Sequence, residues 1–306
     1  MKKKKLNITF IGAGKIAHSL SISLLPKYSI ESVISRSISS ARSLAKKLSV
    51  KNYSDNLKDI PPTSDLIILA LPDDQIEKVS AKISKLKINF EGKTFIHLSG
   101  SENIDALYAL RQKGASTGSV HIMQTFPSKK IVSIKNCFAA IESDNSKTEK
   151  LLFSVAKSVA LKPFKIYSEQ KSLYHLSGVF AANFLTGNFY SADTVFKQTN
   201  SDMSSYKLLG PIAEKTLANV EKYGVSKSLS GPVERGDLNT IEKHLRDLRS
   251  VSIKSANKNL LKLINLSYLV QSLILVQVAE NKTGKLSSSQ KKIKTLLQTQ
   301  IKKIKF

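Results

Sequence analysis

One hexapeptide limits what this 306-residue chain can fold into more than any other stretch. Gly12-Ala13-Gly14-Lys15-Ile16-Ala17 has the form G-x-G-x-x-A and directly follows an apolar run at residues 6–11. In a strand–turn–helix unit, Gly12 permits the tight turn and Gly14 lets the backbone approach a pyrophosphate. Ala17 allows close packing of helix on sheet. The helix start at Lys15 and Ile16 supplies free N–H groups and the positive end of a dipole to the phosphates. A glycine pair can also merely turn the chain in any strand–helix unit. A strand before it, a helix after it and a βαβ pattern around it favour dinucleotide binding.

That pattern extends through the first half. Strand-like apolar runs at 6–11, 31–34, 66–71, 94–98, 119–123 and 137–141 alternate with amphipathic stretches at 15–25, 38–48, 76–86 and 104–113. Such alternation implies right-handed crossovers and a mostly parallel, doubly wound α/β sheet. After about residue 167 the alternation stops, and helical patterns follow at 171–196, 212–223, 238–248 and 257–280. Pro211 stands at a predicted helix start and Gly224 just past a helix end. Asp237 is placed to cap the helix after it. The expected organisation is a Rossmann-like domain over 1–166 and an all-α substrate and dimerisation domain over 167–284. A Lys-rich tail, weakly ordered or amphipathic, takes 285–306.

Lys and Arg number 48 against 23 Asp and Glu, a formal charge of +25. Such an excess can mark a nucleic-acid or anionic-membrane binder. Here the lysines are spread over the whole chain, with local concentrations only at residues 2–5 and 285–305, so no nucleic-acid partner is expected. The lone Cys137 excludes a disulfide framework and a multi-cysteine zinc site, and no metal is expected. The N-terminus lacks the pattern of a signal peptide. Residues 260–278 are interrupted by Lys262, Asn265, Gln271 and Gln277 and read as a buried helix rather than a membrane span. A soluble, cytoplasmic protein is expected.

The end of the second strand selects the dinucleotide. A ribose with free hydroxyls calls for Asp or Glu there; this chain has Ser35-Arg36-Ser37. Arg36 can pair with a 2′-phosphate through charge-assisted bonds, and Ser35 and Ser37 can donate hydroxyls to it. The bland alternative is an exposed arginine followed by Ser37 as a helix cap. NADP is the expected cofactor. Leu71-Pro72-Asp73-Asp74 ends another strand, with Leu71 and Pro72 as walls on the nicotinamide side and an aspartate as cap of the next helix.

Two further strand ends carry polar groups, His97-Leu98-Ser99-Gly100-Ser101 and His121-Ile122-Met123-Gln124. Each histidine has a structural reading as well as a functional one. Ser99 and Gly100 would offer a hydroxyl and free N–H groups to substrate. In the helix beginning at Lys171, the residues Lys171, His175, Gly178 and Ala182 share one face at spacings of four, three and four. His175 is the candidate general acid, because imidazole titrates near neutral pH; a buried seam histidine is the alternative. Asn183 lies about 12 Å further along the axis. Arg235, in the turn-rich 230–237 segment, could clamp a carboxylate or simply lie in a reversal.

Taken in order, these motifs resemble a group of Rossmann-like proteins whose C-terminal helical part is catalogued only as a domain of unknown function. The group is similar to pyrroline-5-carboxylate reductase, to deazaflavin-dependent NADP oxidoreductases and to the 6-phosphogluconate dehydrogenase superfamily. The resemblance rests on Gly12-Ala13-Gly14, Ser35-Arg36-Ser37, Leu71 to Asp74, His97 to Gly100, His121 with Gln124-Thr125-Phe126, Tyr174-His175 through Asn183, and residues 230–237. It implies a homodimer with a small-molecule substrate bound between the domains against the nicotinamide. Hydroxyacid dehydrogenases of that superfamily place a Lys and an Asn one turn apart; here Lys171 is followed by His175 instead. The expected activity is NADP-dependent hydride transfer to or from a small carbonyl or imine. His175, Asn183 and Ser99 would act on the substrate, and Gly100, His121 and Arg235 would bind it. A non-catalytic NADP-binding regulator is the alternative.

Overall fold

The computed structural model describes residues 5–199, 201–254 and 257–304; residues 2–4 of the basic N-terminal run lie outside it. The chain divides into two compact units, Met1–Phe184 and Leu185–Phe306.

The first unit is built on one eight-stranded sheet. Its strands are β1 (Asn7–Ile11), β2 (Ser29–Ile34), β3 (Asn52–Ser54), β4 (Leu66–Leu69), β5 (Thr94–His97), β6 (Ser116–Ile122), β7 (Phe138–Ser143) and β8 (Lys162–Lys165). They run in the order β3-β2-β1-β4-β5-β6-β7-β8. All neighbouring pairs are parallel except β6 with β7. The order reverses between β1 and β4, and that switch point opens a crevice at the carboxyl ends of the strands. The mostly parallel α/β expectation therefore holds.

Side-chain alternation along the strands splits the apolar residues onto two faces. Ile8, Phe10 and Ile68 pack with α1 (Lys15–Leu24), α2 (Ile38–Leu48) and α5 (Ser146–Ser158). Ile11, Ile67, Leu69 and Phe95 pack with α3 (Asp73–Ile83) and α4 (Tyr108–Arg111). Both faces are covered, so the central strands read as unbroken apolar runs. The strands β3 and β8 sit at the two edges. They lack such a run, and β8 contains Pro163, which an edge position tolerates; neither was expected from sequence.

The first unit continues past residue 166, where the sequence pattern placed a boundary. It includes α6 (Lys171–Gly178) and the π-helical turn Val179–Asn183 that follows. The π turn adds a residue to the helical repeat. The even face predicted for Lys171, His175, Gly178 and Ala182 is thus interrupted beyond Gly178.

The second unit is helical: α7 (Phe184–Phe196), α8 (Ser205–Tyr223), the short α9 (Val225–Ser228) and α10 (Pro232–Arg235), α11 (Leu238–Lys254), α12 (Lys258–Thr283) and α13 (Ser288–Lys302). Its core joins Val233, Ile241, Leu245, Leu269, Val276, Ile293 and Leu297. Asp237 caps α11, accepting from Thr240 N at 3.1 Å. Pro211 lies inside α8 rather than at its start, because a proline removes one helix bond without preventing turns on either side. Residues 285–304 of the Lys-rich tail contribute Leu286, Ile293 and Leu297 to this core; residues 305–306 lie outside the described residues. Ser287 and Gln290 form a capping box for α13, and Ile293 and Leu297, four apart, are buried.

The expectation of a buried helix at 260–278 needs correction. By length and composition α12 could cross a bilayer, with a mean hydropathy of 1.5, and only 28% of that window is buried. Leu261, Ile264, Leu269 and Val276 are buried, whereas Leu263, Val270 and Ile274 are exposed. Exposed apolar side chains continue over α7 and α8 at Tyr190, Tyr206, Ile212 and Leu217.

Candidate active site

The crevice at the β1/β4 switch point is a cleft of about 630 Å³. Gly12, Gly14, Ser35, Arg36, Ser37, Leu71 and Pro72 all line it, so the sequence-predicted cofactor residues converge. Gly12 has φ +105°, and a Cβ there would stand 2.2 Å from the Ala70 carbonyl oxygen. Only glycine meets both conditions. At Gly14 a Cβ would touch the protein only at 3.7 Å. The chain's own packing therefore does not demand the second glycine, and what it leaves open is room toward the cleft. Gly14 is also the N-cap of α1, without a side-chain cap and without an acid in the first turn. Those free N–H groups suit a phosphate. The residues present fit a dinucleotide.

Lys15 and Ile16 lie in the first turn of α1, where their backbone amides count; Lys15 is exposed. Arg36 is exposed at the cleft, consistent with reaching a phosphate there. Ser37 does serve as the α2 cap, accepting from Ser40 N at 3.3 Å. Two cations that the motif reading missed, Lys82 on α3 and Lys129 from the loop after β6, also line the cleft, as does Asp55. No short motif marks them, because a helix and a long loop deliver them from a distance. Asp73 and Asp74 do not cap α3: Pro72 is its N-cap, and both aspartates sit in the first turn. There their charge still complements the dipole. Asp73 instead accepts from the Ser101 hydroxyl at 2.6 Å, tying the start of α3 to the loop after β5.

Beside that tie lies a histidine cluster. His97 is fully buried; its Nε2–H donates to Asn103 O at 3.1 Å and its Nδ1 accepts from Ser99 N at 3.2 Å. Both ring nitrogens are spent on the turn, and burial pushes its pKa down to about 3. His97 is thus the structural histidine of the pair. The Ser99 hydroxyl accepts from the amides of Ser101 (3.2 Å) and Glu102 (3.0 Å) and is buried. It shapes the turn, and because the Ser101 hydroxyl donates to Asp73, the one hydrogen of Ser99 points to Ser101 Oγ at 3.3 Å.

Gly100 is the point of closest approach. A Cβ there would stand 2.8 Å from His121 Nε2 and 2.8 Å from His175 Cδ2. The His121 ring meets His175 at a centroid distance of 6.0 Å and Tyr174 at 5.5 Å, edge to face in both cases. His121 Nδ1 is 3.0 Å from the Tyr174 hydroxyl. Burial, then the nearby His175 and Lys171, push the His121 pKa down to about 4, and Asp73 opposes them. Burial raises the Tyr174 hydroxyl to about 12. At neutral pH both are uncharged and joined by that hydrogen bond. Gly178 makes room for Met123, whose sulfur would be 3.0 Å from a Cβ.

Asn183 is exposed at the end of the π turn, and Arg235 belongs to the second unit, where it is exposed at the end of α10. Lys171, which shares a helical face with His175 in the sequence, is buried and paired with Glu142 at 3.2 Å.

Comparison with known proteins fits this arrangement. Residues 7–99 match the family described as NADP oxidoreductase, coenzyme F420-dependent. Residues 137–267 match a domain of unknown function, DUF2520. No curated protein matches by sequence. Among solved structures, the chain is similar to a Bacteroides fragilis protein assigned as an NADP oxidoreductase. That similarity has 26% identity and a TM-score of 0.71, and covers 86% of this chain and 97% of that one. A reductive aminase from Aspergillus terreus shares the fold at 15% identity and a TM-score of 0.58, covering 98% and 94%. A pyrroline-5-carboxylate reductase from Coxiella burnetii does so at 16% identity and 0.52, covering 89% and 99%. Residues 7–99 are thus similar to an NADP oxidoreductase domain, and residues 137–267 to a domain of unknown function.

Proposed function

We propose that this protein is an NADP-dependent oxidoreductase acting on a small carbonyl or imine compound. Gly12, Gly14 and the first turn of α1 would hold the pyrophosphate, and Arg36 the 2′-phosphate, with Lys82 and Lys129 adding positive charge along the cleft. NADPH, when bound, supplies the hydride. His175 gives a proton to the substrate heteroatom that gains charge. The neutral His121–Tyr174 pair orients that atom through hydrogen bonding. Gly100 keeps the floor between the histidines free of side-chain atoms. The observation that carries this reading is the Ser101–Asp73 hydrogen bond: it ties the turn that holds Gly100 to the start of α3, next to Pro72 and Asp74, which line the cleft.

The exposed apolar surface of α7, α8 and α12 supports a homodimer. Tyr190, Tyr206, Ile212, Leu217, Leu263, Val270 and Ile274 are all exposed on these three helices, and large exposed apolar side chains in number mark interaction surfaces. A second copy offers the same patch in return.

The test pairs an NADPH binding titration with NADPH oxidation assays over carbonyl and imine panels. Turnover that falls by about 10²–10⁴ in His175→Ala supports the reading. Tight NADPH binding without turnover on any panel member would leave a nucleotide-binding regulator instead.

A further inference from the structure

Lys171 is 1% exposed, among the described residues the most deeply buried Lys or Arg. Its Nζ donates to Ser119 Oγ at 2.8 Å and stands 3.2 Å from Glu142 Oε2. The Ser119 hydroxyl donates on to the same carboxylate at 3.4 Å, and the Ser168 hydroxyl donates to its other oxygen. None of these groups has a part in the proton chemistry above.

Their placement suggests another task. Ser119 and Glu142 are register partners across the antiparallel β6–β7 pair. His121 follows Ser119 by two residues and so projects from the same face. On the helix, Tyr174 follows Lys171 by three residues, nearly one turn, and its hydroxyl meets His121 Nδ1. The helix α6 is therefore pinned at two matched points, Lys171 on Ser119 and Glu142, and Tyr174 on His121. A slip of one residue would break both and carry His175 away from Gly100.

We infer that Lys171 is a positioning residue: with Glu142 it locks α6 onto β6 and β7, so that Tyr174, His121 and His175 are held over Gly100, and it exchanges no proton with substrate. What the positioned groups do rests on the oxidoreductase reading; the positioning itself does not.

The locked ammonium also acts on His121. That ring is faced from α6 by Lys171, Tyr174 and His175, from α3 by Asp73, and from β5 by His97. Burial and the two neighbours His175 and Lys171 hold it neutral against Asp73. Lys171 is itself pushed down by burial and supported by Glu142, with Asp73 and Glu102 further contributors.

Two measurements on the full chain test this. Reductive methylation with 13C-formaldehyde should label Lys82 and Lys129 in the free protein, with NADPH shielding them. Lys171 should stay unlabelled in both states. Labelling of Lys171 at the rate of exposed lysines, with protection by NADPH, would show a substrate-facing lysine and overturn the proposal. The second uses Lys171→Met/Glu142→Gln, which removes both charges together. The His121 titration midpoint, followed by NMR of 13C-labelled histidine and assigned with His121→Asn, should rise from about 4 toward 6.5. Turnover should drop through kcat while NADPH affinity is retained. A midpoint that stays near 4 sinks the idea. Should that variant fail to fold, the labelling of the unmodified protein decides. If no substrate is turned over, the oxidoreductase reading fails by itself, since neither the labelling nor the midpoint depends on turnover.

Discussion

Gly12 shows how a single residue can be required twice. Its φ of +105° and the 2.2 Å approach of the Ala70 carbonyl both exclude a Cβ. Gly12→Ala should therefore distort the turn and weaken NADPH binding, read by fluorescence titration, while Gly14→Ala should fold normally and lose affinity through the cleft. Arg36 answers a different question. Arg36→Asp replaces a charge-assisted contact with repulsion and should weaken NADPH by about 10- to 100-fold. NADH should be little changed; equal losses would show that Arg36 does not touch the 2′-phosphate. The buried pair behaves asymmetrically. Lys171→Met alone strands the Glu142 carboxylate and should cost about 3–5 kcal/mol in chemical denaturation. Adding Glu142→Gln should recover much of that loss. The glycine turn and Arg36 were legible because they are local motifs. The Lys171–Glu142 pair was not, since its members are joined only by the packing of α6 over β6 and β7.

At the scale of elements, the central strands could be read from their apolar runs, because both faces of β1 and β4 are covered. The edge strands β3 and β8 could not, having little apolar sequence and pairing on one side only. Amphipathicity misled for α12. Its apolar residues suggest complete burial, yet one side is open in the single chain. The dimer proposal makes this measurable. Light scattering coupled to gel filtration should give a dimer, and Ile274→Glu or Ile212→Glu should yield folded monomer. A wild-type monomer that sediments with anionic vesicles would instead assign that surface to a membrane.

For the whole molecule, acid should be the weak side of stability. The folded protein holds His121 at about 4 and His97 at about 3, against 6.5 for the unfolded chain. Between those limits the unfolded state binds more protons, so stability is complete above pH 6.5 and is lost as pH falls through the folded values. Thermal melts across this range should decline steadily below pH 6.5; a flat melting temperature down to pH 4.5 would contradict the assignment of two neutral buried imidazoles. The formal charge of +25 plays little part in such a site, where the cleft uses Arg36, Lys82 and Lys129 and the deepest cation is neutralised locally. By itself the sequence determined the α/β class, the glycine turn and the arginine at the end of the second strand, since each depends on residues adjacent along the chain. Only the tertiary structure decided which histidine was structural and where the first unit ends. It alone placed Lys171 behind the site rather than in it, because burial and pairing over a separation of 29 positions are properties of packing, and no local pattern encodes them.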